Sequence, residues 1–393
     1  MRATVSALEE ETGTQTVRTV PLVPTMQIER ITGERPVEQV IQEYKNDPAV
    51  EYAEPDYLVY ALENQPQAPN DPEFAKQWGL HNAGGDACTS RADISAEEGW
   101  KTRNEAPNVI VAVIDTGVRY THEDIKDNMW RNPGESGGGR ENNGKDDDGD
   151  GWVDDVYGIN ALARPGGSPM DDAGHGTHCA GTIGAMGGNG KGVVGVAWKV
   201  QIMACKFLNN KGSGSTSDAI DCINYAVLKG AQIMSNSWGG GGNSQALKDA
   251  IAAADARGII FVAAASNDGR DNDATPVYPA SYGLPNIVSV ANSTCKDELS
   301  KSSNFGKKTV HLAAPGTDIL STWFLSDSSY KSISGTSMAT PHVAGALALM
   351  KAQFPQMSHT DLIAKLLKSV DKPAGLAGKV ITDGRLNLQK ALQ

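Results

Sequence analysis

From about residue 72 to residue 393, short apolar runs alternate with stretches whose apolar residues recur at helical spacing. The runs are rich in β-branched residues and contain few polar ones, which is typical of strands buried on both faces. The predicted strands span 109–114, 200–207, 233–237, 259–264 and 287–291, and the predicted helices span 217–229, 246–256, 337–353 and 359–369. This alternation predicts an α/β fold in which helices cover both faces of a central parallel sheet. Active groups of such folds gather at the carboxyl ends of the strands.

A change of composition divides the chain into two parts. Residues 1–62 mix short strand-like and helix-like pieces, including a helical pattern over 37–44 and a β-rich run over 50–60. The polar, proline-bearing stretch over 63–71 has the composition of a linker. We therefore predict a small α+β domain over 1–62 and a larger α/β domain over 63–393.

The charge and hydropathy of the chain exclude some classes of partner. The 393 residues carry a formal net charge of −12 at pH 7, whereas a nucleic-acid surface needs a basic patch. No apolar run approaches the roughly 20 residues of a membrane span. We expect a monomer that binds neither nucleic acid nor a membrane.

The five cysteines cannot all pair within the chain, because their number is odd. Their spacing is also not that of a zinc site. Cys205 lies in a predicted strand and Cys222 in a predicted helix, so we expect both to be buried free thiols. The cysteines therefore do not indicate whether the protein resides in an oxidising or a reducing compartment.

The stretch over 332–345, Ser-Ile-Ser-Gly-Thr-Ser-Met-Ala-Thr-Pro-His-Val-Ala-Gly, places Ser337 at the start of a predicted helix. Free backbone N–H groups and the positive end of the helix dipole can hold a developing anion there. A nucleophilic serine also needs a base and a carboxylate that orients the base. Asp115 follows a predicted strand, and His175 lies in a loop that leads into a helix of small residues. Asp115, His175 and Ser337 are therefore a candidate triad that only the fold can bring together.

Three segments carry a resemblance to a known family. Asp115-Thr-Gly, His175-Gly-Thr-His and Gly-Thr-Ser337-Met-Ala-Thr-Pro resemble, in the same chain order, the signature segments of the subtilisin-like serine proteases. The resemblance spans the chain, and it implies that Ser337 attacks the scissile carbonyl group, His175 transfers the proton and Asp115 orients His175. It also implies that Asn267 supplies a side-chain donor to the oxyanion hole. Relatives commonly carry glycine at the position of Ser266.

The same resemblance implies an extended groove for protein and peptide substrates. Two glycine-rich segments resemble those that lie on either side of the bound peptide, and their backbone groups can pair with it as added strands. Further residues resemble the floor and wall of the primary specificity pocket and suggest an apolar preference. The implied substrate-binding residues are Ser213, Gly214, Ser237, Trp238, Gly239, Ala265 and Val277.

Acidic residues crowd one short loop of the larger domain. Aspartates at alternate positions followed by glycine have the spacing of a calcium loop, and carboxylates this close repel one another unless a cation neutralises them. The candidate ligands are Asp146, Asp148, Asp150, Asp154 and Asp155. By resemblance, Asp124 and Asn189 belong to a second, structural calcium site. Ca²⁺ is therefore the expected cofactor.

Residues 50–62 resemble the end of the subtilisin propeptide. The resemblance implies that domain 1–62 is a propeptide that assists folding and temporarily inhibits the enzyme, with self-cleavage between Leu62 and Glu63. A folding template suits a parallel sheet, whose long-range contacts form slowly. The segment after Met1 is polar, so secretion, the expected location, requires a signal peptide outside this sequence; the alternative is an intracellular protein.

Several rival interpretations fit the sequence less well. An aspartic protease needs a second Asp-Thr-Gly segment, and an α/β-hydrolase orders its triad as serine, acid and histidine. The glycine-rich stretch over 187–192 lacks the Ser or Thr that follows lysine in a phosphate loop. His175 and His178, close to Asp171 and Asp172, are also a candidate transition-metal site, but both histidines belong to the family signature. The non-enzymatic alternative is an inactive protease retained as a calcium-stabilised binding module.

Overall fold

The computed structural model of this chain describes residues 8–21, 23–56, 68–85 and 87–393. The chain divides into two compact units, Met1–Asn64 and Gln65–Gln393. The residues of the predicted self-cleavage, Leu62 and Glu63, lie outside the described residues.

The smaller unit contains an antiparallel strand pair and a helix. Strand β1 (Thr14–Val20) pairs with β2 (Val23–Ile31), and helix α1 (Val37–Asn46) follows. The hydroxyl groups of Thr14 and Tyr44 share a hydrogen bond of 2.6 Å, which joins the start of β1 to α1. The unit is therefore α+β, as predicted.

The local predictions for this unit have mixed outcomes. The helix predicted over 37–44 is present as α1. The β-rich run predicted over 50–60 forms no strand over 50–56, and the rest of the run lies outside the described residues. Pro55 lacks the N–H group that a strand pair needs, and acidic residues flank it, which disfavours a strand there.

The larger unit is organised around a seven-stranded sheet in which every pair of neighbouring strands is parallel. The strand order is β4-β5-β3-β6-β7-β8-β9, followed in the chain by an antiparallel hairpin of β10 and β11. The bounds are β3 Glu105–Asp115, β4 Gly158–Asn160, β5 Lys199–Lys206, β6 Ile233–Asn236, β7 Ile260–Ala264, β8 Ile287–Ser293, β9 Leu312–Pro315, β10 Ile319–Trp323 and β11 Ser329–Ile333.

The helices of this unit confirm the predicted alternation. Each predicted helix is present with its ends shifted by at most one residue, and each predicted strand lies within or close to an observed one. The bounds are α2 Ala96–Trp100, α3 His175–Gly184, α4 Thr216–Leu228, α5 Gln245–Asp255, α6 Thr336–Gln353, α7 His359–Lys368 and α8 Leu388–Leu392. The strands that periodicity does not find are β4, β9 and the hairpin, which are short or polar.

Alternate residues of the strands belong to two different hydrophobic cores. In β3, Val111 and Val113 join the core that contains α3 and α6, whereas Ala112 and Ile114 join the core that contains α4 and α5. Each face of the sheet is therefore covered by helices, which is why the strands have no polar face. The predicted fold class, a parallel sheet covered on both sides, is confirmed.

Helix α6 runs through the first of these cores. Every residue from Thr336 to Met350 is buried, so the helix has no polar stripe. A helix that is buried on all sides is typical of the centre of a large domain. The helix therefore holds Ser337, its second residue, firmly within the fold.

The prediction that Cys205 and Cys222 are free thiols is wrong. They form a disulfide, because α4 lies over the sheet face towards which Cys205 points, with 5.7 Å between the two Cα atoms. A second disulfide joins Cys88 to Cys295, and Cys179 is a buried free thiol.

Among the described residues, no helix combines the length and the apolar character that crossing a bilayer requires.

Candidate active site

The carboxyl ends of three neighbouring strands deliver the candidate residues to one edge of the sheet. Asp115 is the last residue of β3, Ser237 follows the end of β6, and Asn267 lies three residues beyond β7. The N-terminal ends of α3 and α6 bring His175 and Ser337 to the same edge. The predicted gathering at the carboxyl ends of the strands therefore occurs.

Asp115 and His175 form a hydrogen-bonded pair. The Nδ1 atom of His175 lies 2.7 Å from Oδ1 of Asp115. Asp115 is fully buried, whereas the imidazole side chain is 31% exposed, so one edge of the ring is open to solvent. The first turn of α3 packs against the 115–117 turn so closely that a Cβ on Gly176 would overlap the carbonyl group of Gly117.

Two opposing effects act on the pKa of His175. Burial, the largest single effect, favours the neutral ring, but the charge and the hydrogen bond of Asp115 favour the imidazolium ion, and the net pKa lies above its ordinary value. The carboxylate of Asp171 acts in the same direction. This environment is suited to a base that must hold a proton during a reaction.

Ser337 lies near the Asp115–His175 pair, because all three residues surround the Cys179 side chain. The Cys179 sulfur is within 4.8 Å of ligand atoms of Asp115 and His175, and it is 3.5 Å from the Ser337 carbonyl oxygen. The Ser337 hydroxyl donates a 3.0 Å hydrogen bond to the carbonyl oxygen of Ser237 and, among the described residues, has no hydrogen bond to His175. Burial raises the pKa of Cys179 well above its usual value, so the thiol stays neutral.

Asn267 is held with one end of its amide fixed and the other end free. Its Oδ1 atom accepts hydrogen bonds from the backbone N–H of Thr336 at 2.8 Å and from the Thr336 hydroxyl at 3.1 Å. The Nδ2 group makes no hydrogen bond within the part of the chain that the structure describes, and the same is true of the Ser337 N–H at the first turn of α6. Two donors are thus available beside the Ser337 hydroxyl.

Sequence reasoning missed the role of Asp171, which it considered only as a metal ligand. This buried carboxylate accepts hydrogen bonds from the hydroxyl groups of Thr116 and Thr177 and from the N–H groups of Ala173, Gly174 and Thr177, at 2.6–2.9 Å. It therefore fixes the loop before His175 and the first turn of α3. The sequence indicates this role only in that Asp171 precedes His175 by four residues.

The metal-site alternative at His175 and His178 finds no support in these contacts. Nε2 of His178 lies 2.8 Å from the carbonyl oxygen of Ile319, and burial lowers its pKa to about 3. Asp172 pairs instead with Lys206, a buried lysine that sequence reasoning also missed and that donates to the carbonyl oxygen of Thr116.

The two predicted substrate segments flank this edge of the sheet. Gly239 faces Val277 so closely that an added Cβ would lie 3.5 Å from Cγ1 of Val277. Ser237 and Ala265 are buried, Ser213 and Gly214 are exposed, and the Trp238 ring packs edge-on against Phe207. The pocket residues implied by resemblance therefore adjoin one another at Gly239 and Val277.

Comparison with known protein families decides how this geometry is classified. Residues 106–386 match the model of the subtilase family, peptidase S8, and residues 2–56 match that of the fervidolysin N-terminal prodomain. The chain belongs to the subtilase family.

Three relatives show how this subtilase compares with known proteins. It is 35% identical over 326 residues to thermitase from Thermoactinomyces vulgaris, which covers 83% of the chain and 99% of the relative. It is 34% identical over 357 residues to a thermophilic serine proteinase from Bacillus sp. strain AK1, with 91% and 76% covered. It is also 34% identical over 341 residues to subtilisin-like protease 1 from Plasmodium falciparum isolate 3D7, with 82% and 47% covered. The chain spans about half the length of that Plasmodium relative.

The acidic loop of this subtilase brings together only part of the predicted calcium set. Asp146 and Asp148 offer carboxylate oxygens within 4.8 Å of each other and of Glu135, a residue that the sequence pattern did not identify. Glu135 is fully buried, and its Oε2 atom has no hydrogen-bond partner among the described residues. Burial raises the pKa of Glu135. Such a set of oxygen donors fits a hard divalent cation such as Ca²⁺.

The other candidate ligands of the loop, and Asp148 as well, have partners within the chain. Asp154 accepts hydrogen bonds from the N–H groups of residues 143 and 144. Asp155 accepts from Asn132 and from the hydroxyl of Tyr225, and burial raises its pKa to about 6. Asp148 and Asp150 face the ammonium group of Lys229, at 2.5 and 2.9 Å.

The residues of the second predicted calcium site lie close to one another, and their role stays a prediction. The Nδ2 atom of Asn189 lies 2.8 Å from Oδ1 of the buried Asp124. Asp71, which the sequence analysis missed, lies nearby and accepts from the N–H of Gly188, while its Oδ1 is buried without a hydrogen bond to any described residue. The carboxylates of Asp71 and Asp124 are oxygen donors of the kind that Ca²⁺ prefers, whereas the Asn189 amide presents its nitrogen to Asp124 and its oxygen accepts from the N–H of Lys191.

Proposed function

We propose that this subtilase is a serine endopeptidase that hydrolyses protein and peptide substrates through an acyl-enzyme on Ser337. The observation that supports the proposal most strongly is the 2.7 Å hydrogen bond between the buried Asp115 and His175, next to the N-terminal end of α6. A buried carboxylate that orients an imidazole beside a serine is the arrangement that acyl transfer requires.

In the proposed reaction, the Ser337 hydroxyl leaves its hydrogen bond to Ser237 and rotates towards Nε2 of His175. Its oxygen forms a bond to the scissile carbonyl carbon while His175 takes the proton, and the imidazolium ion then donates that proton to the leaving amine as the C–N bond breaks. A water molecule, deprotonated by His175, hydrolyses the resulting ester and regenerates the Ser337 hydroxyl. Asp115 keeps the ring in the tautomer that accepts at Nε2.

The negative oxygen of the tetrahedral intermediate is proposed to lie between Nδ2 of Asn267 and the N–H of Ser337. Both groups lack other partners among the described residues, and the Asn267 amide is already oriented by Thr336. Donors that are fixed before the reaction stabilise the transition state without reorganisation.

We propose broad specificity with a preference for apolar side chains. The Gly239 to Val277 contact and the buried Ala265 support an apolar pocket next to Ser337. The backbone of the exposed Gly214 makes no hydrogen bond among the described residues and is available to pair with an extended peptide, a mode that recognises main chain rather than sequence. The N–H and carbonyl groups of Ser213 are already bonded to Asn209.

We propose that domain 1–62 is a propeptide that inhibits the enzyme until cleavage between Leu62 and Glu63. The match of residues 2–56 to a subtilase prodomain and the division of the chain near residue 64 support this role. N-terminal sequencing of the active protein tests it: a mature chain that begins far from Glu63 would contradict the assignment.

Calcium is proposed to bind at two places. In the acidic loop, Glu135, Asp146 and Asp148 would hold the ion, and in the second site Asp71, Asp124 and Asn189 would hold it. The bound ion would neutralise buried carboxylates and so stabilise the folded enzyme.

We further propose that the protein is secreted and acts as a monomer. The two disulfides support secretion, because disulfides persist mainly in oxidising compartments.

Replacement of Ser337 by alanine tests the central proposal. With the full chain and casein as substrate, we expect kcat to fall by about 10⁶-fold, the size already known for a subtilisin. The matched control is Ser332→Ala, which removes an exposed serine five residues away and should leave activity unchanged. Undiminished hydrolysis by Ser337→Ala would refute the proposal, and an inactive wild-type chain would favour the binding-module alternative.

A further inference from the structure

The backbone beside the candidate oxyanion donor is strained. Ser266, the residue before Asn267, has a φ angle of +92°, in the region that favours glycine. A side chain in this conformation persists only where surrounding contacts hold it. The contacts around Ser266 therefore show what fixes Asn267.

Two asparagines beneath this loop provide those contacts. Asn272 and Asn304 are both fully buried, and Nδ2 of Asn304 donates a 2.8 Å hydrogen bond to Oδ1 of Asn272. Nδ2 of Asn272 in turn donates to the carbonyl oxygen of Ala265 at 2.9 Å. The backbone N–H of Asn304 donates to the carbonyl oxygen of Ser266, also at 2.9 Å.

The same pair also holds the other side of Asn267. Oδ1 of Asn304 accepts hydrogen bonds from the N–H groups of Asp268 and Arg270, at 2.8 and 3.1 Å. The network thus fixes two carbonyl groups before Asn267 and two N–H groups after it. Both side-chain amides use their donor and acceptor ends, which makes the network specific for one loop conformation.

We propose that Asn304, acting through Asn272 and the strained Ser266, is a positioning residue that keeps the Asn267 amide aimed at the reacting oxygen. This inference rests on the proposed role of Asn267 in catalysis. Loss of the network lets Ser266 relax to an ordinary φ angle and turns Asn267 away from Ser337. Because the oxyanion exists only during the reaction, the effect falls on kcat and not on KM.

A double-mutant cycle in the full chain separates positioning from general structure. Asn267→Ala should lower kcat on a peptide p-nitroanilide by about 10²–10³-fold, as known for a subtilisin. Asn304→Ala should lower kcat by up to about 100-fold with KM unchanged, since small displacements of a catalytic group have effects of this size. When Asn267→Ala is already present, adding Asn304→Ala should lower kcat by less than about 3-fold, because coupled residues are not additive.

Active-site titration with a fluorophosphonate counts the folded enzyme in each sample, so that partial unfolding does not imitate a loss of kcat. The matched control is Asn286→Ala. Asn286 is another fully buried asparagine, but it lies before the start of β8, far from the catalytic edge of the sheet, and donates to the carbonyl groups of Ile251 in α5 and of Ile259 just before β7. Its replacement should destabilise the fold while leaving kcat per active site unchanged.

If Asn304→Ala does not fold, Asn304→Asp replaces it. The aspartate keeps an oxygen for the N–H groups of Asp268 and Arg270 but places its second oxygen against Oδ1 of Asn272, so kcat should still fall. Equal losses from the Asn304 variant with and without Asn267→Ala would overturn the inference, as would no loss when Asn267 is intact. If Asn267→Ala itself has no effect while Ser337→Ala abolishes activity, both the oxyanion role and this inference fail, although the protease assignment stands.

Discussion

Two clusters of carboxylates in the larger unit, one buried and one partly exposed, are stabilised in different ways. Beside the candidate base, Asp171 accepts five hydrogen bonds from neutral N–H and O–H groups of the chain. In the acidic loop, Glu135 leaves Oε2 without a partner among the described residues, while Asp148 and Asp150 face the Lys229 ammonium group. In the first cluster, hydrogen bonds from the chain itself satisfy the carboxylate. The carboxylates of the second cluster need a positively charged partner.

The two arrangements indicate where this fold is rigid and where it responds to its surroundings. Neutral donors that are built into a loop fix one geometry and are insensitive to salt, which suits a catalytic base. Charge compensation by a lysine or a metal ion depends on solution conditions. Changes at the catalytic edge should therefore alter rates, and changes in the acidic loop should alter stability.

Among the carboxylates of the catalytic edge and the acidic loop, the largest effect is expected from Asp115, whose charge is proposed to orient the base. Asp115→Asn should lower kcat/KM by about 10⁴-fold, because an amide stabilises the wrong imidazole tautomer. Steady-state kinetics on a peptide substrate measure the loss. Asp361→Asn, an exposed aspartate in the first turn of α7, is the control and should have the wild-type rate. A loss below about tenfold would show that Asp115 is not the partner of the base.

A smaller loss of rate is expected at Asp171. Asp171→Asn keeps the size of the side chain but removes acceptor capacity from the loop before His175, so kcat should fall by about 10- to 100-fold. The variant should also lose stability, since hydrogen bonds to charged groups contribute about 1.5–3 kcal/mol each. Kinetics and thermal unfolding measure both effects. Wild-type kcat in a destabilised variant would reduce Asp171 to a purely structural role.

In the acidic loop the expected change is in stability. Removal of calcium with a chelator should lower the unfolding temperature by several degrees, because ligand at about 100 times its Kd contributes about 2.7 kcal/mol. Glu135→Gln should remove part of this difference, whereas Asp154→Asn, whose carboxylate faces loop N–H groups, should remove less. Differential scanning calorimetry with and without calcium provides the comparison. Identical unfolding temperatures in both conditions would exclude a stabilising ion.

The smallest effect is a shift in the pH profile. Attack requires neutral His175, so kcat/KM should fall as the pH drops through its pKa. Burial lowers that pKa, but Asp115 and Asp171 together raise it by more, so the acid limb should lie above the ordinary value near 6.5. In Asp171→Asn the limb should move to lower pH, because a carboxylate that favours the imidazolium ion is lost. An unchanged limb would argue against electrostatic coupling between the two residues.

The sequence predicts the fold of the larger unit well, because the fold depends on local signals, whereas the roles of the candidate reacting residues stay predictions. Strands and helices of the larger unit follow from apolar periodicity, and Asp115, His175 and Ser337 stand in recognisable strand-end and helix-start segments. The short strands β4 and β9 are missed because three or four small residues carry no periodicity. The paired cysteines are missed because a disulfide depends on which helix covers which strand.

The supporting residues escape prediction for a different reason. Asp171 and Glu135 accept hydrogen bonds from backbone N–H groups. Every residue except proline has such a group, so the spacing of side chains in the sequence does not reveal these contacts. Asn304 acts on a loop that lies more than 30 positions earlier in the chain, and Lys229 reaches aspartates about 80 positions earlier. Only the folded chain places such partners together.

The uninterrupted burial of α6 from Thr336 to Met350 has a further consequence for the proposed protease activity. Proteolysis attacks segments that open locally, and helices enclosed on all sides open only when the whole domain does. The candidate nucleophile is thus carried by a segment that other copies of the proposed enzyme could not cut without unfolding the domain. Autolysis should begin in the surface loops and reach Ser337 last.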